Sequence, residues 1–479
     1  MRKKEITNKE IMIYVIGIIT IIAICLRIIN RSDFIQSDTA WHIKNGEFII
    51  KNGIFPRFDV FSIHDNLRFI SHEWLSDITM YFLQKEKSLI LLEIVTSLIF
   101  VSGYIIAGIN SNNVILSALI FLIFTLSNLY KQTMAIPDTF AVVLLLIMVI
   151  NQIKSKKAHT KIIRHLILTV LLSNCHGGFL TVSIIQTALI SLAEIFNNKK
   201  SINSKIIITE IIMIGGSLIA GCVNPYGPGI YKYIIMVDNE IAPYMSDWIS
   251  FYFDNVFQIA FFFALITFTI AGFVKKKNKD WREAAVFIFY TLMLFRYRRC
   301  INQWIMITML IAPTYISISF KNVIFKKIIT YVTACFGVVI SIMEMAYVKF
   351  DNVSMTGYIR QNYFTEEAMS IIEDHNIFNT LECSGFLIYA DVPVYIDGRI
   401  DPYSKKYNNE KDILNEYISA LYIPETMDYV LNQYNIDTLI LNNNTPSAQI
   451  FRYQLKWTTL YSNENIIILR KEEVKERDR

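Results

Sequence analysis

Five polar clusters interrupt the chain where side chains of the right type and spacing could do chemistry. The first is QSDTAWHIKNG, residues 36–46, with Asp38 and His42 four positions apart. On a helix these two share a face. A carboxylate there could accept a proton from a nucleophilic hydroxyl, with its pKa raised wherever water is excluded. The second is SHEWLSD, residues 71–77, with adjacent His72 and Glu73. The third, SNCHGG (173–178), holds Asn174 and His176, and the fourth is the NPYGPG loop at 224–229, followed by Glu240 and Trp248. The fifth is FRYRRC, 295–300, with Arg296, Arg298 and Arg299.

These residues divide by role. Asp38, His42, His72 and Glu73 are the catalytic candidates. Arg296, Arg298, Arg299 and His176 are the candidates for a phosphate, because the guanidinium fork matches phosphate oxygens in charge and shape. Trp41, Asn174, Asn224, Tyr226, Glu240 and Trp248 are the candidates for substrate contact. The imidazoles and Glu73 are donors a divalent metal accepts. HEW is not HExxH, however, so the sequence specifies neither a metal nor any other cofactor. Plainer roles compete at each place: Asp38 as a helix N-cap, Asn174 as the cap of a broken helix, the arginines in ion pairs with acids of the 223–255 loop or against lipid headgroups. A sixth polar stretch, YIDGRIDPY at 395–403, reads as an internal salt-bridged turn, since Gly398 and Pro402 supply turn chemistry around Asp397, Arg399 and Asp401.

The elements that carry these clusters are membrane helices. The 479 residues are 53% hydrophobic, and the excess gathers in runs long enough to cross a bilayer core. About eleven such segments precede residue 350: 11–29, 89–108, 113–130, 137–153, 164–174, 178–196, 206–222, 256–274, 283–295, 302–319 and 327–347. The first lacks the small-residue cleavage site of a signal peptide. The net charge of +5 does not point to nucleic acid, because the basic residues sit in short loops between spans. Those loops alternate. Arg2 to Lys9, Lys154 to Arg164, Lys199 to Lys205, Lys275 to Lys279 and Lys321 to Lys327 share one phase, which places them and the N-terminus in the cytoplasm. The long loop 30–88, the segment 223–255 and everything after 348 then face outward. So do the three arginines of FRYRRC, against the usual trend.

Within the first outer loop, residues 39–50 read as an amphipathic helix, and a second begins near His72 with Trp74, Leu75, Ile78, Tyr81 and Phe82 on one face. The chain divides into a membrane domain, 1–348, and an extracytoplasmic mixed α/β domain, 349–479. Strands are expected at 385–390, 393–397, 437–441, 457–461 and 465–470, and helices near 365–376, 409–419, 424–434 and 447–455. There is no P-loop and no GxGxxG fingerprint. The six cysteines show no metal spacing; Cys175, Cys222 and Cys300 near outer span ends leave a disulfide open, with core packing the default.

Together these pieces resemble the C-type fold (GT-C) glycosyltransferases, particularly the bacterial protein-mannosyltransferase and aminoarabinose-transferase-like group. The stretch DTAWHIKNGEFIIKNGIFPRFDVFS (38–62), with HEWL (72–75), HGG (176–178), NPYG (224–227) and IDGR (396–399), is similar to a largely uncharacterised bacterial branch of it. The resemblance implies many membrane helices, a first outer loop bearing a catalytic acid, and an external C-terminal domain. It also implies transfer of a sugar, with inversion, from a polyprenyl-phosphate-linked donor to a glycan, lipid or protein acceptor outside the cytoplasm. Asp38 matches the acid after the first span that serves as base. A lipid-linked glycan polymerase or ligase, and a transporter or lipid flippase, are the competing functions.

Overall fold

The computed structural model describes residues 8–31, 33–84, 88–199, 203–241, 249–319, 352–373, 375–408 and 411–471, with single positions between 332 and 347. The chain divides into two units: residues 1–34, 94–231 and 242–350 form the first, and residues 35–93, 232–241 and 351–479 the second.

The first unit is helical: α1 (Asn8–Ile29), α4 (Ile90–Asn110) from Ile94 on, α5 (Val114–Leu126), α6 (Pro137–Lys154), α7 (Ala158–Cys175), α8 (Gly178–Asn197), α9 (Ser204–Ala220), α11 (Val256–Lys275), α12 (Trp281–Arg296) and α13 (Ile301–Ser319). Five apolar stretches, Ile11–Ile29, Ile90–Asn110, Pro137–Lys154, Gly178–Asn197 and Val256–Lys275, are long enough to cross a bilayer. This is a multi-pass membrane protein. Ten of the eleven expected segments coincide with helices. The eleventh, 327–347, lies largely outside the described residues. The expected segment 164–174 is the apolar part of an 18-residue helix, α7, whose polar first turns had masked it. Those turns are satisfied inside the protein: Lys161 pairs with Glu210 of α9 at 2.7 Å, and Ser191 of α8 donates to the same carboxylate at 2.7 Å. Charge inside a membrane domain persists when it is paired in this way. Around Trp304 of α13, Phe124 and Phe262 pack at ring separations of 5.2 and 4.8 Å and build the aromatic core.

The second unit holds α2 (Ser37–Asn52), α3 (Trp74–Gln84), most of α10 (Gly229–Ile241), and a four-stranded sheet ordered β1-β2-β4-β3. Strands β2 (Thr438–Asn442), β3 (Thr458–Ser462) and β4 (Ile466–Arg470) are antiparallel neighbours; β1 (Ile377–Asn379) joins β2 in parallel. The three antiparallel strands were expected. Two others were not strands. Residues 385–390 fall mostly in the helix Leu381–Tyr389, where nearly every side chain is buried and alternation carries no signal. Residues 393–397 form no strand; Val394 exchanges backbone hydrogen bonds with Phe61 and Ile63 of the loop between α2 and α3.

Helices α2 and α3 pack closely because Gly46 lies on the backbone of Asp77, where any Cβ would overlap the carbonyl. The buried face of α3 is Ser76, Asp77, Met80 and Gln84. Of the apolar side read from sequence, Trp74, Leu75, Ile78 and Tyr81 are half-buried and Phe82 is exposed. The apolar face read from sequence is thus the less buried of the two, and the fully buried face is mostly polar.

Candidate active site

Helix α2 starts without using Asp38. The N-cap is Gln36, whose N–H donates to Thr39 Oγ1 at 3.2 Å, so the capping role open to Asp38 is taken by others. One position into the helix, Asp38 instead accepts from the Trp41 indole N–H at 3.2 Å. The Trp41 ring lies on His42 with 3.6 Å between centroids.

His42 is oriented from behind. Its Nδ1 is 2.6 Å from Asp77 Oδ1, while Asp77 Oδ2 accepts from Asn45 at 2.6 Å and from Ser71 at 3.2 Å. An acceptor at Nδ1 puts the proton on that nitrogen and turns Nε2 to Glu73, whose Oε2 is 3.8 Å away. Burial alone would lower the pKa of His42; the carboxylates of Asp77, Glu73 and Asp38 outweigh it and raise it. Asp38 is also raised: burial is the main cause, His42 and the Trp41 hydrogen bond oppose it, and Asp397 and Glu73 reinforce it.

The floor under Asp38 is the IDGR segment. A Cβ on Gly398 would lie 2.5 Å from Asp38 Oδ1, so only glycine lets the carboxylate rest there. The next residue, Arg399, bridges two buried acids, with Nη2 2.5 Å from Asp397 and 2.7 Å from Asp59. Its guanidinium lies over the Phe69 ring at 4.6 Å, and the Tyr403 hydroxyl donates to Asp397 at 2.5 Å. This is the salt-bridged turn expected from sequence, extended by Asp59 of the loop between α2 and α3. Ile400 follows at φ 57°, a conformation that strains a β-branched residue by about 1–3 kcal/mol. Asp401 accepts from the Tyr233 hydroxyl at 3.0 Å, and burial, opposed by Arg399, pushes its carboxyl up to about 8.

Glu73 lies between two imidazoles: His42 Nε2 at 3.8 Å and His72 Nδ1 at 3.9 Å. Imidazole and carboxylate are donors that a divalent metal ion accepts, and His72 and Glu73 belong to a cluster whose ligand atoms lie close enough to hold one.

In the first unit, Arg299 and His176 meet on Asp138 at the start of α6: Arg299 Nη2 lies 2.6 and 2.8 Å from its two oxygens, and His176 Nε2 2.6 Å from one of them. Arg298 is exposed, and donates to the Tyr252 hydroxyl at 2.9 Å. Arg296, also exposed, lies over the Tyr297 ring at 5.3 Å. Asn174 donates to the carbonyls of Val170 and Val223, fastening a helix end. Asn224 closes its own loop, accepting from the Tyr226 N–H at 2.8 Å. The side chain of Glu240 and all of Trp248 lie outside the described residues.

Sequence reasoning missed Asp77, Asp59 and Asp138. Asp138 did carry a signal, a carboxylate in the first turn of an apolar span. Asp77 lay within a noted motif, but its partner, His42, is 35 residues away. All six cysteines are free.

The architecture has solved counterparts. The oligosaccharyltransferase of Archaeoglobus fulgidus in its apo form aligns over 90% of this chain and 69% of its own, with a TM-score of 0.55 at 11% identity. The archaeal oligosaccharyltransferase from the same organism in complex with an inhibitory peptide and a dolichol-phosphate gives 0.56 at 12% identity, covering 91% and 69%. ArnT from Cupriavidus metallidurans, bound to undecaprenyl phosphate, gives 0.54 at 9% identity and covers 95% of this chain and 97% of its own. The chain has a GT-C fold. Neither a protein-family model nor a curated protein sequence matches it. The likeness is therefore one of GT-C architecture, and the arrangement around Asp38 has to be argued from its own geometry.

That geometry makes Gly398 a sensitive position. Gly398→Ala is expected to displace the Asp38 carboxylate and to lower the turnover of any reaction that uses it about 100-fold, the order of effect of a roughly 1 Å misplacement. Thermal unfolding should change far less. Kinetics beside a melting curve of the variant check both; unchanged turnover would show that the contact with Asp38 does not matter.

Proposed function

We propose that this GT-C-fold protein is an inverting glycosyltransferase that moves a sugar from a polyprenyl-phosphate-linked donor to an acceptor outside the cytoplasm. The observation that carries the reading is Asp38: a carboxylate that caps nothing, rests against Gly398, and is raised in pKa by its surroundings. The fold supports it, since the solved GT-C proteins include one bound to undecaprenyl phosphate and one in complex with a dolichol-phosphate. The cytoplasmic N-terminus and the outward C-terminal domain belong to the same reading, on the alternation of basic loops.

In this mechanism an acceptor hydroxyl gives its proton to Asp38 as its oxygen attacks the anomeric carbon. The bond from that carbon to the phosphate oxygen breaks on the opposite side, and the phosphate leaves with the electron pair. Phosphate is already a good leaving group, so positive charge that binds it more tightly as charge develops contributes most. Arg296 and Arg298 are the groups for this, being exposed and, among the described residues, in no salt bridge. Asp138 holds His176 and Arg299, the residue that follows Arg298. Trp41 orients Asp38, and the charges of His42 and Glu73 tune it. A divalent metal held by His72 and Glu73 would neutralise phosphate charge when bound.

Arg296→Gln/Arg298→Gln is expected to weaken donor binding about tenfold or more, from two lost charge-assisted contacts, with the fold unchanged. Binding of a labelled polyprenyl-phosphate sugar to the purified variant tests this. Wild-type affinity would remove these arginines from the donor site.

A further inference from the structure

The end of α6 remote from Asp138 carries a feature that sugar transfer does not use. Helix α6 runs 18 residues from Pro137 to Lys154, about 27 Å of rise. Asp138 therefore stands at one membrane face and Lys154 at the other. At the Lys154 end a groove of about 610 Å³ opens between α6 and α7, and no Asp or Glu lines it.

The groove has two kinds of wall. Lys156, Lys157 and Arg164 form its rim. All three are exposed, and none forms a salt bridge among the described residues. Lys154 joins them, with its ammonium on the carbonyl of Asn110. Deeper along the two helices the lining is Ile147, Ile167 and Leu168. The turn between the helices is pinned: Asn151 Nδ2 donates to the Lys161 carbonyl at 2.8 Å, and the Ser155 hydroxyl donates to Asn151 at 2.8 Å. Basic loops between spans are ordinary in membrane proteins. A fixed groove with a cationic rim and an apolar floor, at the level where hydrocarbon meets headgroup, is more than that.

We propose that this groove is a binding site for an anionic phospholipid, its phosphate on Lys156, Lys157 and Arg164 and an acyl chain along Ile147, Ile167 and Leu168. Clustered Lys and Arg at a membrane surface attract anionic lipid, and basic pockets between spans hold such headgroups. The apolar floor selects a lipid over a free anion. The inference rests on α6 being a membrane span and is independent of the sugar-transfer reading. Occupancy would fasten the α6–α7 turn to one leaflet.

The test is native mass spectrometry of the full-length protein in neutral detergent, titrated separately with phosphatidylglycerol and phosphatidylcholine. Wild-type protein is expected to retain phosphatidylglycerol about tenfold more than phosphatidylcholine. Lys156→Gln/Lys157→Gln/Arg164→Gln should lose most of that preference. The milder Lys156→Gln/Lys157→Gln, confined to the exposed turn, should lose part of it. A charge-matched control, Lys275→Gln/Lys277→Gln/Lys279→Gln, removes three basic residues outside the groove and should keep the preference. Equal retention of the two lipids by wild type would overturn the site. So would an equal loss in the control and groove variants, or full retention in both groove variants.

Discussion

On the proposed function, Asp38→Asn protein is expected to fold and to bind a polyprenyl-phosphate donor, but to transfer sugar roughly 100- to 10,000-fold more slowly than wild type, the contribution of a positioned general base. Asparagine keeps the size of the side chain and can still meet Trp41; it cannot take a proton. The loss should therefore fall on turnover, with donor affinity nearly unchanged. Wild-type pH dependence supplies a second check. Asp38 must be ionised to act, and burial raises its pKa above that of an exposed carboxylate. Transfer should thus rise with pH over a range displaced upward from the usual carboxylate range near 4, and Glu73→Gln should move that limb downward by removing a like charge. Near-normal turnover by folded Asp38→Asn protein would eliminate Asp38 as the base.

Arg399→Met should be the most destabilising single change in the second unit. The guanidinium is fully enclosed between Asp59 and Asp397, whose side chains are 0% exposed. Removing it leaves two carboxylates buried without their cation, a defect that costs about 3–5 kcal/mol. Methionine retains much of the contact with Phe69, so lost packing is a small part of this. The sharper form of the experiment is the triple variant Asp59→Asn/Asp397→Asn/Arg399→Met, which removes all three charges together. It should recover most of the stability lost in the single variant. Denaturant unfolding of both measures the difference, and a loss below about 1 kcal/mol in Arg399→Met would show that the network is not the unit's electrostatic centre.

How much of this was legible in the sequence depended on whether a signal was local. Membrane helices announce themselves by composition over about twenty residues, and most expected segments are helices in the structure. The helix around Asp38 was legible from its apolar pattern. Its cap was not, because Gln36 and Thr39 compete with Asp38 for that role and only geometry separates them. The strands at 438–442, 458–462 and 466–470 alternate or are bounded by turns, whereas 385–388 is buried at every position and gave no period. The site was legible as fragments. Asp38, His42, His72 and Glu73 lie within two short motifs, but Asp77 reaches His42 across 35 positions. Gly398 reaches Asp38 from a segment 360 residues later, and its motif read only as a turn. Long-range partners of this kind leave no periodic trace.

The central claim is transfer from a polyprenyl-phosphate donor. It is tested most directly by incubating the purified protein in lipid nanodiscs with undecaprenyl-phosphate-linked sugars extracted from cell membranes, labelled in the lipid, together with an envelope extract as acceptor. Release of free undecaprenyl phosphate is then measured. Wild-type protein is predicted to release it, and Asp38→Asn protein to release it at a rate near background. Absence of release by wild type, or release at equal rates from the two proteins, would contradict the account.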